Sequence, residues 1–259
     1  MTGALARLAE LLAAARRPVA FTGAGVSTES GIPDFRSPGG VWDRYDPGEL
    51  TYRNFIDSVD GRRRYWAVGR AVYPVIRGAR PNRAHRALAA LHATGRLGCC
   101  ITQNVDGLHQ RAGLPDDAVI ELHGNAGRVR CLACHARFSR DEVHGWLDAG
   151  ADVPACPGCG GVVKPETVLF GEAMPRAALA EAERRAREAD LFVVVGSSLA
   201  VYPAAYVPRH ARDAGATLVI VNLAPTPLDH AADLVLRVAA GDALAAVAGG
   251  LGAALAQEG

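Results

Sequence analysis

Short apolar runs of strand length alternate with amphipathic stretches along most of the chain. Pro18-Val19-Ala20-Phe21 is a buried-strand pattern that leads straight into Thr22-Gly23-Ala24-Gly25, and further apolar runs lie at 98–101, 191–195, 218–221 and 234–238. Between them, Ala- and Leu-rich or Ala-, Glu- and Arg-rich stretches at 5–15, 83–91 and 176–189 carry helical spacing. Strands separated by helices predict an α/β fold, a parallel sheet with helices on both faces. Two stretches break the alternation: 41–80, rich in aromatics and arginine, and 129–163, which holds most of the cysteines. Both read as insertions.

Four of the six cysteines form two Cys-x-x-Cys pairs, Cys131/Cys134 and Cys156/Cys159, with 135–155 between them. Two such half-sites can close around one zinc ion, and four thiolates leave no open position for water or substrate, so the reading is one structural zinc. His135 follows Cys134, but four thiolates already complete the tetrahedron. Cys99 and Cys100 are neighbours in an apolar run. Adjacent strand residues face opposite ways, so they read as small core residues rather than a disulfide.

At 259 residues and 49% hydrophobic content the chain can bury a large core. The net charge of +1, from 28 basic and 27 acidic side chains, supplies no general attraction to nucleic acid or an anionic membrane. No apolar run approaches membrane-span length and no signal-type core is present, so a cytoplasmic location is expected. A zinc-ribbon nucleic-acid binder would have only Arg128, Arg130, Arg137 and Arg140 near the knuckle.

Polar loops follow the strands. Gly23-Ala24-Gly25-Val26-Ser27-Thr28 resembles a dinucleotide fingerprint with Thr28 in place of the third glycine, and no acidic residue ends a second strand at the usual distance. Its continuation through Ile32, Asp34, Phe35 and Arg36 puts an acid, an aromatic and a guanidinium beside backbone that can approach a pyrophosphate. Thr102-Gln103-Asn104-Val105-Asp106-Gly107-Leu108-His109, Gly196-Ser197-Ser198-Leu199 and Asn222-Leu223-Ala224-Pro225 end three further strands. Polar residues at four strand ends describe a nucleotide cleft at the place where open α/β sheets bind ligands. The expected organisation is a Rossmann-like nucleotide-binding domain from 1–40, 81–128 and 164–259, a helical insert at 41–80 and a zinc-binding module at 129–163, the inserts together making a smaller lobe.

The runs at 23–36, 102–109, Glu121-Leu122-His123-Gly124, the cysteine pairs, Val168-Leu169-Phe170-Gly171-Glu172, Gly196 to Leu199 and Asn222 resemble, in order, the motifs of the sirtuins. Arg64-Tyr65-Trp66-Ala67, Lys164-Pro165 and 222–226 look closest to the subgroup that holds the mitochondrial sirtuin four of animals and many bacterial homologues. The resemblance implies an NAD-dependent protein lysine deacylase acting on acylated lysine side chains of proteins, with NAD as co-substrate and zinc as a staple. It implies pyrophosphate contacts near Gly23, Ala24, Gly25 and Arg36, and adenosine contacts near Gly196, Ser197, Ser198, Asn222 and Leu223. The nicotinamide would lie near Ser27, Ile32, Asp34, Phe35, Gln103, Asn104 and Asp106. Asn104, Asp106 and His123 are the implied catalytic residues, with His123 the base that takes a ribose hydroxyl proton. Val168, Leu169, Phe170, Gly171, Glu172 and, opposite them, Val201 would form the edges on which a peptide adds as a strand.

Tyr65 is followed by Trp66, Ala67 and Val68, so the Tyr-x-x-Arg pair of sirtuins that prefer acidic acyl groups is missing in this register, and acetyl-lysine is the simplest substrate. Two alternatives stand beside this reading. One is protein mono-ADP-ribosyl transfer through the same nicotinamide cleavage; the other is a non-enzymatic NAD or ADP-ribose-binding zinc module.

Overall fold

The computed structural model describes residues 3–34 and 45–256. Phe35 and Arg36, expected to reach the cofactor, lie outside the described residues. A six-stranded sheet runs in the order β3-β2-β1-β7-β8-β9, where β1 is Pro18–Thr22, β2 Cys99–Thr102, β3 Val119–Glu121, β7 Leu191–Val195, β8 Thr217–Val221 and β9 Leu234–Leu236. Every pairing in it is parallel. Such a sheet is buried on both faces, which is why β1, β2 and β7 are continuous apolar runs with every residue buried.

Alternate strand residues feed two cores. On one face Ala20, Cys100, Val193 and Val219 meet Leu8 and Leu12 of α1 (Gly3–Ala14), Leu88 and Leu91 of α4 (Arg83–Ala93), and Leu244 and Val247 of α9 (Ala240–Gly250). On the other, Phe21, Cys99, Ile101, Phe192 and Ile220 meet Ala182 and Ala186 of α7 (Arg176–Glu188) and Val207 and Ala211 of α8 (Val207–Asp213). Cys99 and Cys100 therefore sit in different cores, as their adjacency on a strand requires. Burial pushes their thiols up, to about 11 and about 12.

The smaller lobe has its own core around Phe55, Trp66, Val129, Val143, Leu147 and Val163. It contains α2 (Tyr52–Asp57), α3 (Val59–Gly78), α6 (Arg140–Asp148) and an antiparallel sheet ordered β5-β4-β6, with β4 Gly124–Cys131, β5 Arg137–Ser139 and β6 Val163–Thr167. This sheet reaches beyond the expected 129–163 segment on both sides. None of its strands reads as an apolar run, because β4 alternates buried with partly or fully exposed positions and carries Asn125, Arg128 and Arg130.

Helices α3 and α6 are laced by Arg70–Asp148 at 3.3 Å and Arg77–Asp141 at 3.2 Å. Between these pairs Arg140, only 4% exposed, lays its guanidinium over Trp66 at 4.5 Å and Tyr73 at 5.4 Å. Arg128 and Arg137 both pair with Glu166, so the arginines near the cysteines are largely engaged within the protein. Among the described residues, no helix is long and apolar enough to cross a membrane.

Candidate active site

Strand order reverses between β1 and β7, and with β2 on the other side of β1 the loops after these three strands open side by side. Gly23 N donates to Val195 O at 3.1 Å and Gly25 N to Gly196 O at 2.9 Å, so two loop backbones lie in contact. Gly196 has φ 61°, and a Cβ there would fall 2.5 Å from Val26 N. No larger residue fits, which is the physical reason for a glycine at the end of β7. Ser197 is buried and accepts from Gln103 Nε2 at 2.8 Å, joining the third loop to the second. Ser198 is exposed at the rim. Asn222 and Leu223 follow β8; Asn222 closes its own turn on Ala224 O at 2.7 Å, and Leu223 is exposed.

A polar chain crosses the floor of the cleft. Asn104 Nδ2 donates to Gly23 O at 3.1 Å and to Ser27 Oγ at 3.0 Å, and Ser27 Oγ donates to Asp106 Oδ2 at 2.7 Å. Asp106 also receives Leu108 N at 2.9 Å; burial nevertheless holds its carboxyl above the ordinary carboxylate range. Ile32 N returns to Ser27 O at 3.4 Å, which closes the turn after Ser27 and holds Ile32 beside this chain, with Asp34 two residues further on.

Beneath it lie two histidines whose placement the sequence did not reveal. Asn82 caps α4 and donates its side-chain amide to Val26 O at 2.7 Å and Ser30 Oγ at 3.0 Å, pinning the glycine loop. Asn82 N donates to His85 Nδ1, which leaves the His85 Nε2–H facing Ser27 Oγ at 3.4 Å. Thr22 Oγ1 donates to Thr102 Oγ1 at 2.8 Å and so accepts from His109 Nε2 at 2.9 Å. The two rings lie 5.0 Å apart. The one sequence signal was Asn82 with a polar residue three positions on, a capping-box spacing filled by His85.

Burial drives His85 down to about 2 and His109 down to about 4. Both folded values lie below the unfolded value of about 6.5. Their contribution to stability is therefore full above pH ~6.5 and is lost as pH falls below that value, for both rings together at first, with the loss complete near pH 4 for His109 and continuing toward about 2 for His85. Denaturant melts between pH 7 and pH 4 should show this decline, and His109→Gln should make it shallower; an unchanged slope in the variant would contradict the assignment.

His123 occupies the crossing between the two sheets, since β3 ends at Glu121 and β4 opens at Gly124. Its Nδ1 lies 2.9 Å from Gln103 O. A carbonyl only accepts, so Nδ1 carries the proton of the neutral ring and Nε2 is left unprotonated. Burial lowers its pKa below the ordinary value, against the opposing pull of the Gln103 carbonyl, which favours the neutral ring at pH 7. Gly124 has φ 72°, and a Cβ there would collide with Glu166 O. Gly124→Ala is expected to destabilise the protein by more than about 1 kcal/mol and to displace His123. Thermal unfolding together with turnover checks this.

Val168 N donates to His123 O at 2.9 Å, so the segment after β6 is attached to the His123 backbone. Within it Leu169 is buried in the small-lobe core, Val168 is half-buried and Phe170 is 45% exposed, bridged in parallel to Thr51. Gly171 lies in the turn that follows, and the Glu172 carboxylate folds back onto Leu169 N at 3.0 Å. Val201 lies in the irregular segment after Leu199 and accepts from Ala205 N at 2.9 Å.

At the far end of the smaller lobe the Sγ atoms of Cys131, Cys134, Cys156 and Cys159 all lie within 4.8 Å of one another. The Cys131–Cys159 and Cys134–Cys156 separations are 3.5 and 3.6 Å. A tetrahedron with metal–sulfur bonds of about 2.3 Å has edges of about 3.8 Å, so the donor set fits zinc closely. The amides of Cys134 and Ala133 point at Cys131 Sγ and hold its thiol down, to about 6, the direction a metal thiolate requires.

A parallel doubly wound sheet with a polar cleft at its switch point, joined to a four-thiolate module, defines a nucleotide-binding α/β protein of the dinucleotide-using class. Residues 23–203 match the sequence profile of the Sir2 family. The chain belongs to that family, the sirtuins. It is 44% identical over 244 residues to an NAD-dependent protein deacetylase of Rhodopseudomonas palustris, covering 94% of this chain and 96% of that protein. To NAD-dependent protein deacetylase 2 of Streptomyces coelicolor it is 46% identical over 234 residues, 90% of this chain and 96% of the relative. Among solved structures, Sir2 with a p53 peptide and NAD+ superposes with a TM-score of 0.87 at 38% identity, covering 96% of this chain and 98% of that one. Sir2 bound to an acetylated peptide superposes with a TM-score of 0.88 at 36% identity, covering 96% and 99%.

Proposed function

We propose that the protein is an NAD-dependent protein lysine deacylase, most simply a deacetylase, that releases nicotinamide and O-acyl-ADP-ribose. The observation that carries this reading is His123, held by the Gln103 carbonyl with its Nε2 lone pair available, beside the Asn104–Ser27–Asp106 chain. Bound NAD supplies an electrophilic ribose carbon and a leaving group. In this reading Ser27, Ile32, Asp34, Asn104 and Asp106 enclose the nicotinamide and exclude water. The Gly23, Ala24 and Gly25 backbone follows the pyrophosphate, and Gly196, Ser197, Ser198, Asn222 and Leu223 take the adenosine end. His123 accepts a ribose hydroxyl proton at Nε2. The four thiolates hold a structural zinc. The acyl-lysine peptide lies between 168–172 and Val201, pairing through its main chain.

No nucleic-acid or membrane partner is assigned, in keeping with the balanced charge. Cytoplasmic residence belongs to the same proposal, supported by a cysteine set read as four zinc ligands and two buried core thiols rather than as disulfides. Because His123 is depressed, the acid limb of its pH–rate profile should lie below pH ~6.5. A limb above that value would point to a different base.

The reaction is tested by mass spectrometry of acetyl-, longer acyl- and succinyl-lysine peptides incubated with and without NAD. NAD-dependent loss of acyl with formation of the matching O-acyl-ADP-ribose is expected. ADP-ribosylated protein without deacylation would establish the transferase alternative, and NAD binding without any product would establish the binding module.

A further inference from the structure

A buried cation lies under the segment that follows β6. Lys164 is 2% exposed, and its Nζ sits 2.8 Å from Glu172 Oε2. The same Nζ donates to Pro165 O at 3.0 Å and Thr167 O at 2.6 Å, so its three hydrogens have three acceptors. Glu172 Oε2 in turn accepts from Leu169 N at 3.0 Å. The segment is thereby closed on itself: carbonyls at its start and the side chain at its end meet at one ammonium.

Backbone bonds also tie this segment to the His123 crossing and to the start of α2. Val168 N donates to His123 O at 2.9 Å, and Phe170 O accepts from Tyr52 N at 2.9 Å. A buried ion pair adds little net stability compared with well-packed apolar residues of the same volume. What sets this one apart is its engagement of main-chain carbonyls. An apolar residue could fill the volume, but it could not fix where those carbonyls, and hence the edge beyond them, point.

We propose that Lys164 and Glu172 are positioning residues for the peptide substrate, clamping 168–172 in the shape that pairs with an acyl-lysine main chain at a set distance from His123. The inference rests on the reading above that 168–172 receives the peptide. Glu172 then acts from behind the edge, with its carboxylate turned into the protein.

The test compares Lys164→Met, Glu172→Gln and Lys164→Arg with the wild-type holoenzyme. Steady-state kinetics with an acetyl-lysine peptide are measured alongside the NAD dissociation constant and thermal unfolding. Lys164→Met and Glu172→Gln should raise the peptide KM about tenfold or more, since small misplacements of a positioning element carry large kinetic penalties. NAD affinity should stay at the wild-type value, Lys164→Arg should recover most of the peptide affinity, and the double variant should be no worse than the worse single one. Should Lys164→Met fail to fold, Glu172→Gln, which keeps the side-chain shape, decides alone. An unchanged peptide KM, or an equal loss of NAD affinity, overturns the proposal.

A second arm uses the wild type with a peptide N-methylated at the residues flanking the lysine. If strand addition is correct, methylation raises KM. If methylation has no effect, the edge itself is misassigned; if methylation matters and the Lys164 and Glu172 variants do not, only the positioning role fails.

Discussion

His123→Ala is expected to lower turnover of an acetyl-lysine peptide by about 100-fold or more, the scale on which a positioned acid–base group contributes. NAD affinity and the unfolding transition should remain near wild type. The imidazole is held by one bond from Nδ1 to Gln103 O, and its removal leaves the Asn104–Ser27–Asp106 chain intact. The folded scaffold does not depend on the ring either, because the backbone carbonyl of His123, not its side chain, receives Val168 N. Turnover, isothermal NAD titration and thermal melts on the same preparation check this. Retention of more than about a tenth of wild-type turnover would remove His123 from the role of base. A parallel collapse of the melting transition would show a structural role instead.

Removal of zinc is expected to unfold the β5-β4-β6 sheet and with it abolish activity, although the cysteines lie in a separate lobe from the cleft. Structural zinc binding is worth about 10 kcal/mol or more in small metal domains, comparable to the whole stability of an ordinary domain. Cys131 ends β4, whose first residue, Gly124, follows His123 directly. Cys131 also pairs with Val163 at the start of β6, which leads into 168–172. Loss of the metal therefore loosens both strands that lead to His123 and to 168–172. Chelation followed by circular dichroism, turnover and metal analysis should show partial unfolding with lost turnover, both restored by added zinc. Lost activity with an unchanged spectrum would place the metal in the chemistry rather than the scaffold.

The cysteine pairs and the glycine loops were legible because their function depends on local spacing. A Cys-x-x-Cys half-site is complete within one turn, and a tight strand-to-helix turn is written in consecutive residues. The central strands were equally plain, since a parallel sheet covered on both faces demands unbroken apolar runs such as Leu191–Val195. The family resemblance, the α/β class, the NAD cofactor and the zinc set all follow from such features.

The small-lobe strands were not legible. β4 buries only alternate positions and is rich in glycine and arginine, and β5 has three residues. Their pairing is decided by partners distant in sequence, Arg128 with Ser139 and Cys131 with Val163. The buried histidines were also hidden: His85 and His109 each resemble an ordinary polar residue until the sheet brings Thr22, Ser27 and Thr102 against them. Lys164 entered the sequence analysis only through the Lys164-Pro165 resemblance, and nothing local shows that it is buried with Glu172 as its counter-ion.

By itself the sequence determined the class of chemistry, because turns, metal half-sites and doubly buried strands are specified by neighbours along the chain. Only the tertiary structure decided which nitrogen of His123 faces the Gln103 carbonyl, which polar groups stand behind the cleft, and what holds the segment 168–172 in place. Those depend on hydrogen bonds between residues far apart in sequence, made only once strand ends and inserts have closed on one another.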